Sequence, residues 1–548
     1  MPRATPPLLL LFLLALPGVR PSQPGAVRPV AAPMRPLPWG QLNFLHTTDT
    51  HGWLSGHLGE PQYSADWGDY VSFATHMRRR AEEAGSDLLV VDTGDRVEGN
   101  GLYDASVPKG RYELDILAEQ HMDIACVGNH ELYRRSTIIR EHNQTVPRLG
   151  DAYIASNVDY MDAETGEMSP LAPRYRKFKT KKLGLTVVAF GFLFDFVGNA
   201  NNSRVTPVAD AISQPWFQQA MHEKPDVFVV AAHIGVRMPE LRAIFTALRK
   251  QNWHIPILFF GGHAHVRDAV RFDSLSVALA SGRYLESIGW MSVDNVRSKD
   301  PPSPSSAVTI SRKYLDNNLL GMYHHTGLNA STFPTDAGRR TTKEITAARA
   351  ALKLDDRFGC APRDLWTDRA PYPGNASVYT WLEEELLPSI VVNASRAHVP
   401  RLAFINTGGI RFDIFKGPFT RDNLMAVSPF DNRFVFVPDV PYPIARKLLA
   451  ILNSGGIDDL GTDGDDTLRQ ATPSHRPPQC IQSRIGFPGT GDAEKVDVVF
   501  IDFLRPWLVA ALKFAGGDYA DADVRPYMEA TFTHELGLWV ERNWLGDC

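Results

Sequence analysis

The stretch Val127–Leu132 reads "VGNHEL". It closes the apolar run "DIACV", Asp123–Val127, whose length and composition are those of a buried strand. The run stops at a glycine. An amide, an imidazole and a carboxylate then stand side by side, as Asn129, His130 and Glu131. Four other strand-like runs stop in the same manner. "LNFLH" leads to Asp49-Thr50-His51, and "DLLVVD" leads to Gly94-Asp95. "DVFVVAA" leads to His233, and "IPILFFG" leads to Gly262-His263-Ala264-His265. Helix-length amphipathic stretches such as "YVSFATHMRRRAEEAG" and "MPELRAIFTALRKQN" lie between them. Strand and helix in alternation predict a layered α/β unit.

In an open α/β sheet, ligands gather outside the carboxyl ends of the strands. Five neighbouring strands would carry Asp49, His51, Asp95, Asn129, His233, His263 and His265 to one rim. Asp49 and His51 are two residues apart, as are His263 and His265, which puts each pair on one face of an extended segment. Aspartate, histidine and asparagine suit divalent ions such as Zn, Mn, Fe or Co. Seven donors exceed what one tetrahedral ion takes, and a shared aspartate would let two ions sit about 3.5–4 Å apart. Two such ions bring four positive charges and two aspartates remove two. The remainder suits a hydroxide and a phosphate ester. A single histidine at a strand end is usually a cap or turn residue. The joint pattern at five strand ends is what argues for metal. His46, His57, His76 and His121 lack that context and read as surface or core residues.

The 548 residues exceed one ordinary core, so two domains with extensions are expected. Hydrophobic content of 44%, charged content of 22% and a formal net charge of -5 describe a folded chain with no nucleic-acid partner. Arg78–Arg80 read as a solvated helix face. Residues 1–20 match a secretory signal peptide: Arg3, then an apolar run from Leu8 to Leu16 too short to span a bilayer. No other segment is long and apolar enough to span, and the polar end "ERNWLGDC" gives no lipid-anchor signal. A secreted protein without a stable membrane anchor follows. Sequons at Asn143, Asn201, Asn329, Asn375 and Asn393 fit N-glycosylation on that route. Cys126 reads as a buried thiol, and Cys360, Cys480 and Cys548 then leave one unpaired, with no ground for choosing which.

Residues 21–40 form a Pro-rich leader expected to be disordered. Residues 41–300 hold the metal motifs. Residues 301–355 read as a linker with a helix over 341–354, capped by Thr342. Residues 356–548 form a second α/β unit, with "RLAFINTGG", "RFVFVP" and "VDVVFIDF" as strands and Gly456–Cys480 as a long polar loop.

D-x-H, G-D, G-N-H-E, a lone H and G-H-x-H, in this order, resemble the calcineurin-like metallophosphoesterases. "INTGGIRFDIFKG", "SPFDNRFVFV" and "FAGGDYA" resemble segments of the 5'-nucleotidase C-terminal domain. The resemblance spans about Leu42 to Tyr519. It implies a four-layer α/β sandwich followed by an α/β substrate-binding domain. It implies that Asp49, His51 and His265 hold one ion, that Asn129, His233 and His263 hold the other, and that Asp95 bridges them. His130 would be the catalytic group facing the phosphoryl oxygens, and hydroxide on the ions would attack phosphorus in line. Arg411 would contact phosphate or ribose, Asn406 and Gly408 the ribose or base, and Phe430 and Tyr519 would sandwich the base. The family's arginine near the start of the second domain is offered by Arg363 or Arg369, Arg363 being preferred, in a segment altered from the family's pattern.

The family pattern also has an acidic residue two positions after the glutamate, supporting the histidine. Here that position is Tyr133. The expected activity is a dinuclear phosphoesterase acting on nucleotides. The alternatives are a phosphodiesterase for cyclic nucleotides or nucleotide sugars, and a non-catalytic nucleotide-binding protein that kept the metal site.

Overall fold

Alternation along a strand sorts its side chains to two faces, and that sorting builds the layers here. The computed structural model describes residues 20–162, 164–296, 307–454, 477–487 and 494–548. The expected signal peptide falls outside the described residues, save for Arg20, as does most of the loop Gly456–Cys480. In β1 (Leu42–Thr47) and β2 (Asp87–Asp92), Leu42, Phe44, Leu89 and Val91 face one way, and Leu45, Leu88 and Val90 face the other. The same holds for β4 (Val227–His233) and β5 (Ile257–Gly261). Val227, Val229, Leu258 and Phe260 join the first group, while Phe228, Val230, Ile257 and Phe259 pack outward. Burying each such side chain is worth about 1.5–3 kcal/mol.

The result is two sheets face to face with helices on both outer sides. The first sheet has five strands, in the order Thr309–Asp316, Ser287–Asp294, β1, β2 and β3 (Ile124–Ala125). The second has six, in the order Arg267–Asp273, Ser276–Ser281, β5, β4, Thr186–Leu193 and Tyr175–Lys179. β1, β2 and β3 are parallel, and so are β4 and β5. The five motif-bearing strands therefore belong to two stacked sheets, three in one and two in the other, rather than to one sheet. Nothing local in a strand's sequence says which sheet it joins.

Two expectations about the flanking segments change. The helix α1 (Trp67–Glu83) packs against α2 (Asp336–Ala351), which begins five residues before the expected start at Thr341. Thr335 caps α2 by accepting from the Gly338 N–H, and Thr342 instead donates to Asp66. A Cβ on Gly68 would overlap the Gly338 carbonyl, so the two backbones touch and α2 is part of the first core rather than a free linker. The Pro-rich leader is not loose either. Gln23 donates to Asp66 at 2.8 Å and Ser22 to Asp69 at 2.8 Å. Trp39 packs edge-on to Trp290, whose Nε1 donates to the Pro38 carbonyl at 3.0 Å. Proline-rich composition suggests looseness, but it does not count the partners waiting on a folded surface.

The C-terminal half is built on a five-stranded mixed sheet, in the order Cys480–Ile485, β6 (Arg401–Asn406), Lys495–Ile501, β7 (Arg433–Pro441) and Arg525–Thr531. It has its own core. A disulfide joins Cys360 to Cys548, while Cys126 and Cys480 are buried free thiols. The two halves meet along a seam. Trp53 and Tyr284 on one side pack with Phe412 on the other, and Arg369 reaches Glu60 at 3.2 Å.

Candidate metal centre

The donor loops are stitched to one another by backbone. The Asp49 N–H donates to the Gly94 carbonyl at 2.9 Å, and the His51 N–H to the Asp95 carbonyl at 3.0 Å. Glu131 is buried and accepts from the Gly128, Asp95 and Arg96 N–H groups at 2.8, 3.0 and 2.7 Å. It ties the loop after β3 to the loop after β2. Asp49, His51, Asp95, His263 and His265 all have left-handed backbone, with φ of 51°, 46°, 53°, 71° and 56°. For non-glycine residues this costs about 1–3 kcal/mol each and clusters at functional sites. Gly128 is required for a different reason: a Cβ there would overlap Asp95 itself.

Second partners fix which nitrogen each imidazole offers. His51 Nδ1 lies 2.6 Å from the Glu98 carbonyl, and His233 Nδ1 lies 2.8 Å from the Thr93 carbonyl. In the neutral ring each Nδ1 therefore carries the proton, and each Nε2 turns its lone pair inward. The inward atoms converge in two overlapping groups: Asp49, His51, Asp95 and His265, and then Asp95, His233 and His263. Asp95 belongs to both. Its Oδ1 accepts the His130 N–H at 2.8 Å, and its Oδ2 lies 3.7 Å from His51 Nε2 and 3.1 Å from His233 Nε2. Asn129 Oδ1 lies 3.0 Å from His233 Nε2 and joins the second group. Carboxylate, imidazole and amide oxygen in this arrangement fit divalent ions.

The buried carboxylates and imidazoles of the cluster shift one another's protonation. Burial alone would raise Asp95, but the charges of His233 and His130 hold it well below the usual carboxylate range. Burial would lower His233, but Asp95 and Asp49 push it up to about 10. His51 is kept well below its ordinary value by burial and by the charge of His130.

Beside the cluster, His130 Nδ1 lies 3.0 Å from Glu98 Oε2. Burial lowers its pKa, but Asp95 and the Glu98 hydrogen bond outweigh that and raise it. Tyr133 takes no part in this pairing; its hydroxyl lies 3.3 Å from Asn129 Nδ2. Glu98 is the functional residue that sequence reasoning missed. Its one signal was an acid three positions after Asp95, in "GDRVEG".

The expected substrate residues divide. The Phe430 ring lies 6.4 Å from the His130 ring, with 27° between their planes, and the Arg411 guanidinium carbon lies 5.9 Å from the Phe430 centroid. Arg411 is buried, and its charge acts on His51, His130 and Tyr133. Asn406 ends β6, and Gly408 sits in the turn that follows it. Tyr519 packs on the C-terminal core beside Gly517, and no ring contact joins it to Phe430 among the described residues. Arg363 is exposed, paired with Glu385 at 2.8 Å and bonded to the Asn375 carbonyl. Both partners lie on the surface and not in the cluster.

Residues 42–267 match the family model described as calcineurin-like phosphoesterase. Residues 364–458 and 456–509 match the one described as NAD nucleotidase, C-terminal domain. A protein of Arthroderma benhamiae named "Secreted protein" is 36% identical over 97% of this chain and 94% of its own length. An uncharacterized protein of Schizosaccharomyces pombe is 36% identical over 87% of this chain and 86% of its own. The crystal structure of a 5'-nucleotidase from Candida albicans matches with a TM-score of 0.86 and 36% identity, covering 94% of this chain and all of that one. The chain belongs to the calcineurin-like metallophosphoesterases that carry a 5'-nucleotidase-type C-terminal domain, and it is a metal-dependent phosphoric ester hydrolase.

Proposed function

We propose that this protein hydrolyses phosphate esters of nucleotides at a pair of divalent ions, such as Zn or Mn, that share Asp95. The observation that carries this is the Asp95 carboxylate, one oxygen bound to the His130 N–H and the other turned to both His51 and His233. Asp49, His51 and His265 complete one ion's ligands, and Asn129, His233 and His263 the other's. Such ions, when bound, lower the pKa of water toward about 7 and offset phosphoryl charge. The protein's own groups do the rest. Arg411 presents guanidinium donors to phosphoryl oxygens. Glu98 accepts from His130 Nδ1 and favours the doubly protonated ring, whose second proton, on Nε2, would face the substrate for the leaving oxygen. Phe430 offers a face on which a base stacks. Residues 41–300 thus hold the ions and His130, and residues 356–548 supply Arg411 and Phe430 on the substrate side.

The test is phosphate release from nucleoside monophosphates, a cyclic nucleotide, a nucleotide sugar and a dinucleotide, with Mn or Zn and with a chelator control. Activity on monophosphates that a chelator abolishes, and that His130→Ala lowers by about 10²–10⁴-fold, is expected. Metal-independent turnover, or none on any nucleotide, sinks the proposal. The match of the second half to an NAD nucleotidase domain favours including diesters as the second reading. Glu98 restores a carboxylate to His130, so Tyr133 is no ground for the non-catalytic alternative.

We also propose export from the cell. The Cys360–Cys548 disulfide fits an oxidising compartment, and a relative bears the name "Secreted protein". Asn143, Asn201, Asn329 and Asn375 are exposed and open to glycans, whereas the Asn393 amide donates to the Tyr527 carbonyl.

A further inference from the structure

An asparagine ligand has two chemically opposite ends. Oδ1 can hold a cation, and Nδ2 can only donate. Swapping them leaves the shape of the side chain almost unchanged, so some neighbour must tell the two ends apart. For Asn129 that neighbour is Tyr133. The amide Nδ2 donates to the Tyr133 hydroxyl at 3.3 Å, and this turns Oδ1 to within 3.0 Å of His233 Nε2. The ring that carries the hydroxyl is held on two sides. Phe196 packs edge-on at 5.2 Å and His130 edge-on at 5.0 Å.

We propose that Tyr133 is a positioning residue for the metal centre, fixing the Asn129 amide with its oxygen toward the ion shared by Asp95, His233 and His263. The position is free for this work because the support of His130 has moved elsewhere. Glu98 accepts from His130 Nδ1 at 3.0 Å and is itself paired with Arg134 at 3.2 Å. Two tasks are thus divided between two residues: Glu98 orients the histidine that faces substrate, and Tyr133 orients a ligand of one ion. A tyrosine that only filled space against Phe196 would need no hydroxyl, and phenylalanine would replace it without consequence.

This rests on the two-ion reading above, and the experiment separates the two. The full chain is stripped with a chelator, dialysed and titrated with Mn²⁺ by calorimetry, with activity assayed in parallel. Wild type should take up two ions. Tyr133→Phe should weaken one of them about ten-fold and leave the other unchanged. Asn129→Ala should weaken the same ion, and adding Tyr133→Phe to it should change nothing further. Glu98→Gln should lower kcat while leaving both affinities as they were. Equal affinities in Tyr133→Phe and wild type overturn the inference and leave the two-ion reading standing. A fall in both affinities together with a lowered melting temperature of the metal-free variant marks packing damage and overturns it as well. Wild type that takes up no Mn²⁺ removes the two-ion reading and this inference with it.

Discussion

A carboxylate three residues after Asp95 decides what His130 can do. With Glu98 accepting from Nδ1, the neutral ring has a bare Nε2, and the raised pKa favours the doubly protonated ring in which Nε2 has a proton to give. Glu98→Gln keeps the shape and removes the charge, and kcat should fall by about 10²-fold with KM little changed, in steady-state assays. Ions and protons compete at His233. Its folded pKa is raised to about 10, so the metal-free chain carries a proton there at neutral pH. Its contribution to metal-free stability is complete below its ordinary value of 6.5 and is lost as pH rises through about 10. An ion must displace that proton. Mn²⁺ affinity should therefore climb with pH up to about 10, and calorimetry in buffers of different ionisation heat should count about one proton released from this site. Most of the clustered side chains were legible in sequence, because aspartate and histidine recur after five apolar runs, a joint pattern that caps and turns alone do not explain. Glu98 was not, because its partner His130 lies on a different loop.

At the scale of elements, the five strands were legible from their apolar runs and terminal glycines, and α1 and the helix Pro239–Gln251 from their amphipathic spacing. The start of α2 was not, because its cap at Thr335 competes with a better-looking Thr342 that is spent on Asp66. The glycines after the strands carry a sharper consequence than turning freedom. Gly128 has no room for a methyl group against Asp95. Gly128→Ala should destabilise the fold by about 1–3 kcal/mol, read from denaturant melts, and should also displace the shared carboxylate and weaken Mn²⁺ uptake. A variant that melted and bound like wild type would refute this account of the loop after β3.

At the scale of the whole molecule, the second half reaches into the first at its Phe430-Asp431 loop. Asp431 is held by Arg134 at 3.0 Å and Lys109 at 3.1 Å, and Arg134 also pairs with Glu98. Asp431→Ala should loosen Phe430 over His130 and raise KM a few-fold, about 1 kcal/mol, with kcat changed less; initial rates over a range of nucleotide concentrations measure this. Such contacts were the least legible part of the chain, since they join residues hundreds of positions apart. Phe430 lies beside His130 and Arg363 stays at the surface, the first in a segment that matches the family's pattern and the second in one that departs from it. The placing of the donors on two stacked sheets has its own consequence. Cations bound there rivet one layer to the other at the same end where the chemistry happens. Stripping them would leave the layers joined by hydrophobic packing and by hydrogen bonds such as His233 Nδ1 to the Thr93 carbonyl, so the catalyst and one internal brace would be lost in one step.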